Sequence, residues 1–412
     1  LKILIVTQYY PPEYAIVPST LAEKLVERGH DVRVLTSFPN YPHGRLFDGY
    51  RQSWRSRELD SGVDILRVPM FINHSQSAMA RILNYLSFGV STCLASSFSR
   101  GAEVVYVYAS QMTAASAPYV WNRTRGIPYI LHVQDLWPES ITDSSIIQGS
   151  KAKKVIRAVL TPFLTAAYRR AAAVITIAPT MRRILAERGV AEDRLHTVFN
   201  WADESQTGPS AQTEVGRGRR LQIVYAGNLG DMQDLDTVVK AAALVRDLAN
   251  LRIVFVGTGV AEQRLRRLAA ELSLENIEFR GRISPEKMVE VYAESDFQLV
   301  TLKDIAIFRG TIPSKLQGSL ARGVPIITNV AGDVSSIVSQ ERVGLAAPPE
   351  DEVALAALFR EACSMSGEKR RALGENSHNL YQRSMSATAG VDAIEALLSA
   401  AAKQRNSGAR AE

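Results

Sequence analysis

The strongest constraint on this chain is a rhythm that runs through it twice. Short β-rich runs begin near Lys2, Asp31, Asp64, Val104, Pro128, Ala173 and Leu195, with helical patterns between them such as Val17 to Arg28 and Ala152 to Arg170. The same alternation restarts at Gln222-Ile-Val-Tyr-Ala and continues through runs at Arg252, Ile277, Phe297 and Pro325, with a helix predicted over Leu235 to Asp247. Strands separated by helices of this size read as βαβ units, and βαβ units force a parallel sheet with helices on its faces. A length of 412 residues suits two such domains rather than one.

The predicted boundary lies in Ala202 to Arg219, a polar stretch with Gly and Pro and no periodicity. The expected organisation is a first domain over residues 1–201, a linker at 202–219, a second domain at 220–375, C-terminal helices at 376–402 packing back on the first domain, and a frayed tail from 403 to 412. No run reaches the roughly 18 apolar residues of a spanning helix, and the chain opens directly on a strand-like run, so the expectation is a cytoplasmic protein. The apolar run Arg81 to Ser99 is read as a core or interfacial helix. Cys93 and Cys363 have neither disulfide nor metal-ligand spacing and are expected as small buried hydrophobes.

Charge is unevenly placed. Residues 1–200 carry 23 Lys and Arg against 15 Asp and Glu, a balance of +8, and the remainder carries 25 against 27, a balance of −2. A basic first half fits phosphates and anionic lipid headgroups. Without a zinc finger, helix-turn-helix or RNA-binding signature, nucleic acid is not an expected partner.

Ligands of doubly wound sheets bind beyond the carboxyl ends of the strands, which is where candidate residues are sought. Tyr225-Ala-Gly-Asn-Leu-Gly ends a strand, and Gly227, Asn228 and Leu229 form a turn whose backbone can approach a phosphate. Gly257 in Phe255-Val-Gly-Thr-Gly makes a second turn of this kind. Neither matches a dinucleotide fingerprint or a Walker loop. In Arg309-Gly-Thr-Ile-Pro-Ser-Lys, Pro313 is placed in a first helical turn, Thr311 and Ser314 supply hydroxyls, and Arg309 and Lys315 supply charge. Lys303 ends the preceding strand. Together these residues predict a diphosphate cradle. In the first half, His132 and Asp135 are expected at the carboxyl end of a strand that breaks at Trp137-Pro138, facing a cleft. The run Phe38 to Arg57 mixes aromatics with Arg45, Arg51, Arg55 and Arg57, which predicts a surface for an acceptor or an anionic membrane.

These residues resemble glycosyltransferase family 4, and within it the branch of bacterial O-antigen, capsule and exopolysaccharide biosynthesis. The resemblance rests on Gln8-Tyr-Tyr-Pro-Pro-Glu, Thr36-Ser-Phe-Pro-Asn-Tyr-Pro, Leu83-Asn-Tyr-Leu-Ser-Phe, Gln134-Asp-Leu-Trp-Pro-Glu-Ser, Tyr225-Ala-Gly-Asn-Leu-Gly and Ile312-Pro-Ser-Lys, in that order along most of the chain. It implies the GT-B arrangement: an α/β fold of two Rossmann-like doubly wound domains facing each other across a cleft. It implies a nucleoside diphosphate sugar donor (a UDP-sugar, N-acetylated) held by the second domain, a lipid-linked or glycan acceptor on the first, retention at the anomeric carbon, and no metal or other cofactor. His132 is matched to the family histidine that contacts the donor sugar.

Departures from the family are specific. The usual Arg of the Gly-Arg-Leu turn is Asn228, the following Lys has no counterpart, the paired glutamates stand as Gly310 and Gly318, and Tyr14-Ala-Ile replaces a Gly-Gly turn. Arg309, Lys315 and Lys303 are the expected substitutes for the missing charge. Nucleotide-sugar 2-epimerases and non-catalytic sugar-nucleotide binders share the architecture, so fold does not separate these activities.

Overall fold

A computed structural model describes residues 1–54, 56–73, 78–142, 150–206, 220–284 and 287–408. They form two compact units, one of residues 1–199 with 387–412 and one of residues 200–386.

The first unit begins with β1 (Lys2–Thr7), α1 (Ile16–Glu27), β2 (Asp31–Ser37), β3 (Ser56–Asp60) and β4 (Val63–Val68). It continues through α2 (Ala78–Leu94), β5 (Val104–Ala109), α3 (Ser116–Arg125), β6 (Tyr129–Val133) and α4 (Glu139–Thr142). Then come α5 (Ser150–Arg170), β7 (Ala173–Thr176), α6 (Pro179–Glu187) and β8 (Leu195–Thr197). The eight strands lie in the order β3-β4-β2-β1-β5-β6-β7-β8. Every pairing is parallel except that of β3 with β4. The central strands are buried on both faces, as helices on each side of a parallel sheet require.

The second unit follows the same logic. Its strands are β9 (Leu221–Ala226), β10 (Leu251–Val256), β11 (Ile277–Gly281), β12 (Phe297–Val300), β13 (Ile326–Thr328) and β14 (Gly344–Ala346). Its helices are α7 (Leu235–Leu244), α8 (Glu262–Glu271), α9 (Met288–Glu294), α10 (Ser314–Ala321), α11 (Asp333–Gln340), α12 (Glu352–Ser364) and α13 (Gly367–Leu380). The sheet order is β11-β10-β9-β12-β13-β14, all parallel. Tyr225, Phe255, Phe297 and Phe359 belong to one core cluster beneath it.

A last helix, α14 (Ala387–Gly408), returns to the first unit. Val391, Ile394, Leu398 and Ala401 are buried on it. Asp392 and Glu395 pair with Arg28, and His30 Nε2 lies 2.8 Å from Glu395. Of the stretch 376–402, expected as C-terminal helices packing back on the first domain, residues up to Ser386 belong to the second unit and α14 to the first. Residues 403–408, expected to fray, continue the helix, and Arg405 donates to the Ala102 carbonyl at 2.8 Å. Cys93 and Cys363 are only half-buried.

Candidate functional site

In a doubly wound sheet the ligand crevice opens where neighbouring strands send their chains in opposite directions. In the second unit that point lies between β9 and β12. The turn after β9 holds Gly227, Asn228 and Leu229, and it is hydrogen-bonded to the turn after β10: Gly227 N–H donates to the Val256 carbonyl at 2.8 Å and Leu229 N–H to that of Thr258 at 2.9 Å. Glycine is required at Gly257, whose φ is +132° and where a Cβ would stand 1.9 Å from the Gly227 carbonyl oxygen.

Lys315, in the first turn of α10, reaches into this crevice. Its Nζ lies 4.0 Å from the Tyr225 ring centroid, donates to Gln233 Oε1 at 2.7 Å and also bonds the Tyr225 hydroxyl. A Cβ on Gly227 would be 2.6 Å from Lys315 Cε, so the bare backbone of the turn is what admits the lysine. Burial lowers the Lys315 pKa to about 7, and no carboxylate among the described residues opposes that shift. The loop that presents Gln233 is fixed from behind. Thr301 Oγ1 donates to the Gln233 carbonyl at 2.6 Å, and the buried Asp234 accepts from Thr237 at 2.7 Å and from Asn329 at 2.6 Å.

The other cradle residues divide. Ser314 opens α10, with Pro313 as its N-cap rather than a first-turn residue, and no side chain caps the helix start. The Leu316 N–H turns back onto the Pro313 carbonyl at 2.9 Å, and the Ser314 and Lys315 amides stand at the positive end of the helix dipole. Thr311 Oγ1 is spent on the Ile307 carbonyl at 3.0 Å. Arg309 is exposed and held in a fork by Asp304 at 3.0–3.1 Å, so its charge is not gathered with Lys315 as expected. Lys303 is half-buried, its N–H bonded to the Met232 carbonyl at 3.1 Å. Tyr225 and Gln233 were given no role by the sequence reading. Their signal was register alone: one lies next to the end of β9 and the other closes the loop after the glycine turn.

In the first unit the corresponding point, between β1 and β5, is filled by side chains. Gln8 Nε2 donates to Asn84 Oδ1 at 3.0 Å, Gln111 bonds Gln8, and Gln111 Oε1 accepts from Ala114 N–H at 2.9 Å. The Glu13 carboxylate binds the amides of Asn40 and Tyr41, each at 2.7 Å. The motifs starting at Gln8, Thr36 and Leu83 are thus locked together as one framework.

The placement of His132 needs correction. It was expected facing a cleft, but it is fully buried within β6, its ring lying edge-on to Tyr106 and Tyr108. Tyr106 Oη is 2.5 Å from His132 Nδ1. Burial lowers the His132 pKa to about 3, with Val198 backbone working weakly the other way, and burial raises that of Tyr106. The histidine is therefore neutral and the tyrosine hydroxyl donates to it. Gln134 and Asp135 follow the strand, and loss of solvation raises the Asp135 carboxyl above its ordinary range although the side chain reaches solvent.

Of the arginine run, Arg45 and Arg51 are exposed, and Arg57 is paired with Asp64 from β3, a strand the sequence reading did not predict. Arg55 lies outside the described residues.

Comparison with known proteins matches both units to transferases. Residues 15–201 match the family described as Glycosyl transferase 4-like domain, and residues 212–380 match Glycosyl transferases group 1. The chain is 27% identical over 378 residues to a putative colanic acid biosynthesis glycosyl transferase, WcaI, of Escherichia coli K12, covering 88% of this chain and 92% of the relative. It is 24% identical over 363 residues to a GDP-mannose-dependent alpha-mannosyltransferase of Mycobacterium tuberculosis, covering 84% of each. Among solved structures, Anabaena HepE in complex with UDP shares the fold, with a TM-score of 0.69 at 15% identity over 97% of this chain and 100% of that one. The two parallel-sheet units and both family matches make this chain a glycosyltransferase of the GT-B fold, and it belongs to glycosyltransferase family 4.

Proposed function

We propose that the enzyme transfers a sugar, of N-acetylated hexosamine type, from a UDP-sugar to a lipid-linked or glycan acceptor at a membrane surface, with retention, in polysaccharide or lipopolysaccharide biosynthesis. The observation that carries this reading is Lys315: a half-buried amine with no carboxylate to neutralise it among the described residues, held over a glycine turn at a helix start. Such a group costs stability unless an anion completes it.

In this reading Lys315 and the α10 amides hold the donor diphosphate. As the glycosidic bond breaks, charge grows on the leaving oxygen, and fixed donors aimed there stabilise it more than the ground state. Gln233 and Tyr225 keep Nζ in place by accepting its hydrogen bonds. Asp135, beyond the end of β6, is the first-unit carboxylate assigned to the transferred sugar or the attacking hydroxyl. His132 acts through packing, as a positioning residue for the end of β6.

Calorimetry of UDP with wild type and Lys315→Ala, beside NMR of the product formed from a panel of nucleotide sugars, tests the reading. Weakened UDP binding in the variant and a retained anomeric configuration are expected. Equal binding by both proteins, or an isomerised donor formed without acceptor, overturns it.

A further inference from the structure

The helix α2 is packed on one side only. Asn84, Phe88, Ser91 and Thr92 form its buried face, and Gly89 approaches the Thr113 carbonyl so closely that a Cβ would lie 3.2 Å from it. On the opposite face Met79, Leu83, Leu86, Val90 and Leu94 recur at helical spacing, each between 46% and 67% exposed. At 1.5 Å per residue the stripe runs about 22 Å. The only charged residue of α2 is Arg81, which the helical period sets opposite the stripe.

Basic residues lie at the carboxyl end of this stripe, where Arg57 is already paired with Asp64, and on the helices packed beyond it. At its carboxyl end Trp54, Arg57, Leu94 and Phe98 line one shallow depression, and the Arg33 and Arg57 guanidinium groups lie 5.5 and 5.7 Å from the Phe98 ring centre. α3 packs on α2, and α5 on α3. Between α3 and α5 runs a groove of about 880 Å³ lined by Arg123, Lys154, Arg157, Arg169 and Arg170, with no carboxylate among its described lining residues.

An exposed apolar row of this length calls for a cover. A second copy seated on it by two-fold symmetry would bring two cation-rich surfaces together. A negatively charged bilayer satisfies both features at once. We propose that α2 lies in the interface of an anionic membrane, its stripe in the acyl boundary and the α3–α5 groove on lipid headgroup phosphates, with Trp54 at headgroup level. This deepens the membrane part of the function proposed above and shifts it from the Arg45–Arg57 run to α2 and its neighbours. It does not depend on the donor.

Co-sedimentation of the full chain with phosphatidylglycerol and phosphatidylcholine vesicles tests it without donor or acceptor. Binding to the anionic vesicles alone at low salt is expected, with an approximately tenfold loss in Leu86→Asp/Val90→Asp and in Arg169→Glu/Arg170→Glu. Val353→Asp, on α12, should bind as wild type, and UDP affinity should be unchanged in all three. Should a charged pair impair folding, a dye on Leu83→Cys, with Cys93 and Cys363 changed to Ser, must shift to the blue on anionic vesicles. Equal binding to both lipids, retained binding in the Leu86/Val90 variant, or an unshifted dye overturns the proposal. So does a wild type that ignores vesicles and is a dimer by light scattering which the stripe variant dissociates; that result assigns the stripe to a second copy.

Discussion

The ammonium of Lys315 sits over the ring of Tyr225, 4.0 Å from its centroid, and shares that residue's hydroxyl with Gln233. A cation on an aromatic face is well held but not neutralised. The geometry thus combines a fixed position with an unpaired charge. Lys315→Ala is expected to weaken UDP binding and lower kcat together. A charge-assisted hydrogen bond is worth about 1.5 to 3 kcal/mol, or one to two decades. Calorimetry and steady-state rates measured on one preparation check it. Arg309→Ala, which removes only a surface pair with Asp304, should change UDP affinity by less than about threefold.

The same lysine makes UDP binding depend on pH. Free, its pKa is near 7; with a diphosphate beside it the ammonium is favoured and the pKa rises. Binding therefore takes up a proton above pH 7, and affinity falls as pH rises from 7 towards the bound pKa, by up to about tenfold per unit. Calorimetry in buffers of different ionisation enthalpy reads the proton directly. No uptake at pH 8 would contradict the assignment.

The cost of that arrangement is visible without ligand. A lysine whose folded pKa lies below its unfolded value destabilises the fold most below pH 7, and the penalty fades as pH rises to the ordinary lysine range. Lys315→Met should raise the melting temperature of the unliganded protein at pH 6 by a few degrees, and the gain should shrink at pH 9. Saturating UDP should stabilise wild type more than the variant.

His132 and Tyr106 are a buried pair whose loss is felt in folding. His132→Ala leaves a cavity and a buried hydroxyl without its acceptor, a loss of about 2 to 4 kcal/mol. UDP affinity should stay near wild type in protein that folds, because the residues proposed to hold the diphosphate lie in the second unit. Urea unfolding beside calorimetry separates the two effects.

Activity is expected to survive EDTA: the Asp234-Leu-Asp236 pair beside the glycine turn is committed to Thr237, Asn329 and Arg264, and among the described residues no three His, Cys, Asp or Glu side chains are placed to hold a metal ion. Loss restored by Mg²⁺ or Mn²⁺ would reverse that. A melting screen of UDP-, GDP- and ADP-sugars checks the base, and a response to GDP-sugars alone would replace uridine.

Most strands were readable because runs such as Lys2-Ile-Leu-Ile-Val are apolar enough to be buried on both faces. β3 was missed because Ser56-Arg-Glu-Leu-Asp is a charged, exposed edge strand, and β14 because Gly344-Leu-Ala is a half-exposed edge strand without a β-branched residue. The glycine turns were legible, since backbone geometry demands glycine there. The partner of each cation was not. Asp304 takes Arg309 from five residues away, whereas Lys315 meets Gln233 across 82 residues of chain. His132 misled for a related reason: in a strand covered on both sides, position along the sequence does not tell an inward ring from a cleft-facing one.

The route of α14 sets an order of assembly. Residues 200–386 are, in connectivity, an insertion within the first unit. On the ribosome the strands of that unit emerge first, but the helix that covers β5 and β6 and pairs with Arg28 emerges after the whole second unit. The unit that starts first is completed last. Until then its apolar faces under Val391, Ile394 and Leu398 stand open, so a chain stopped at Ser386 retains an intact second unit and an unfinished, aggregation-prone first one.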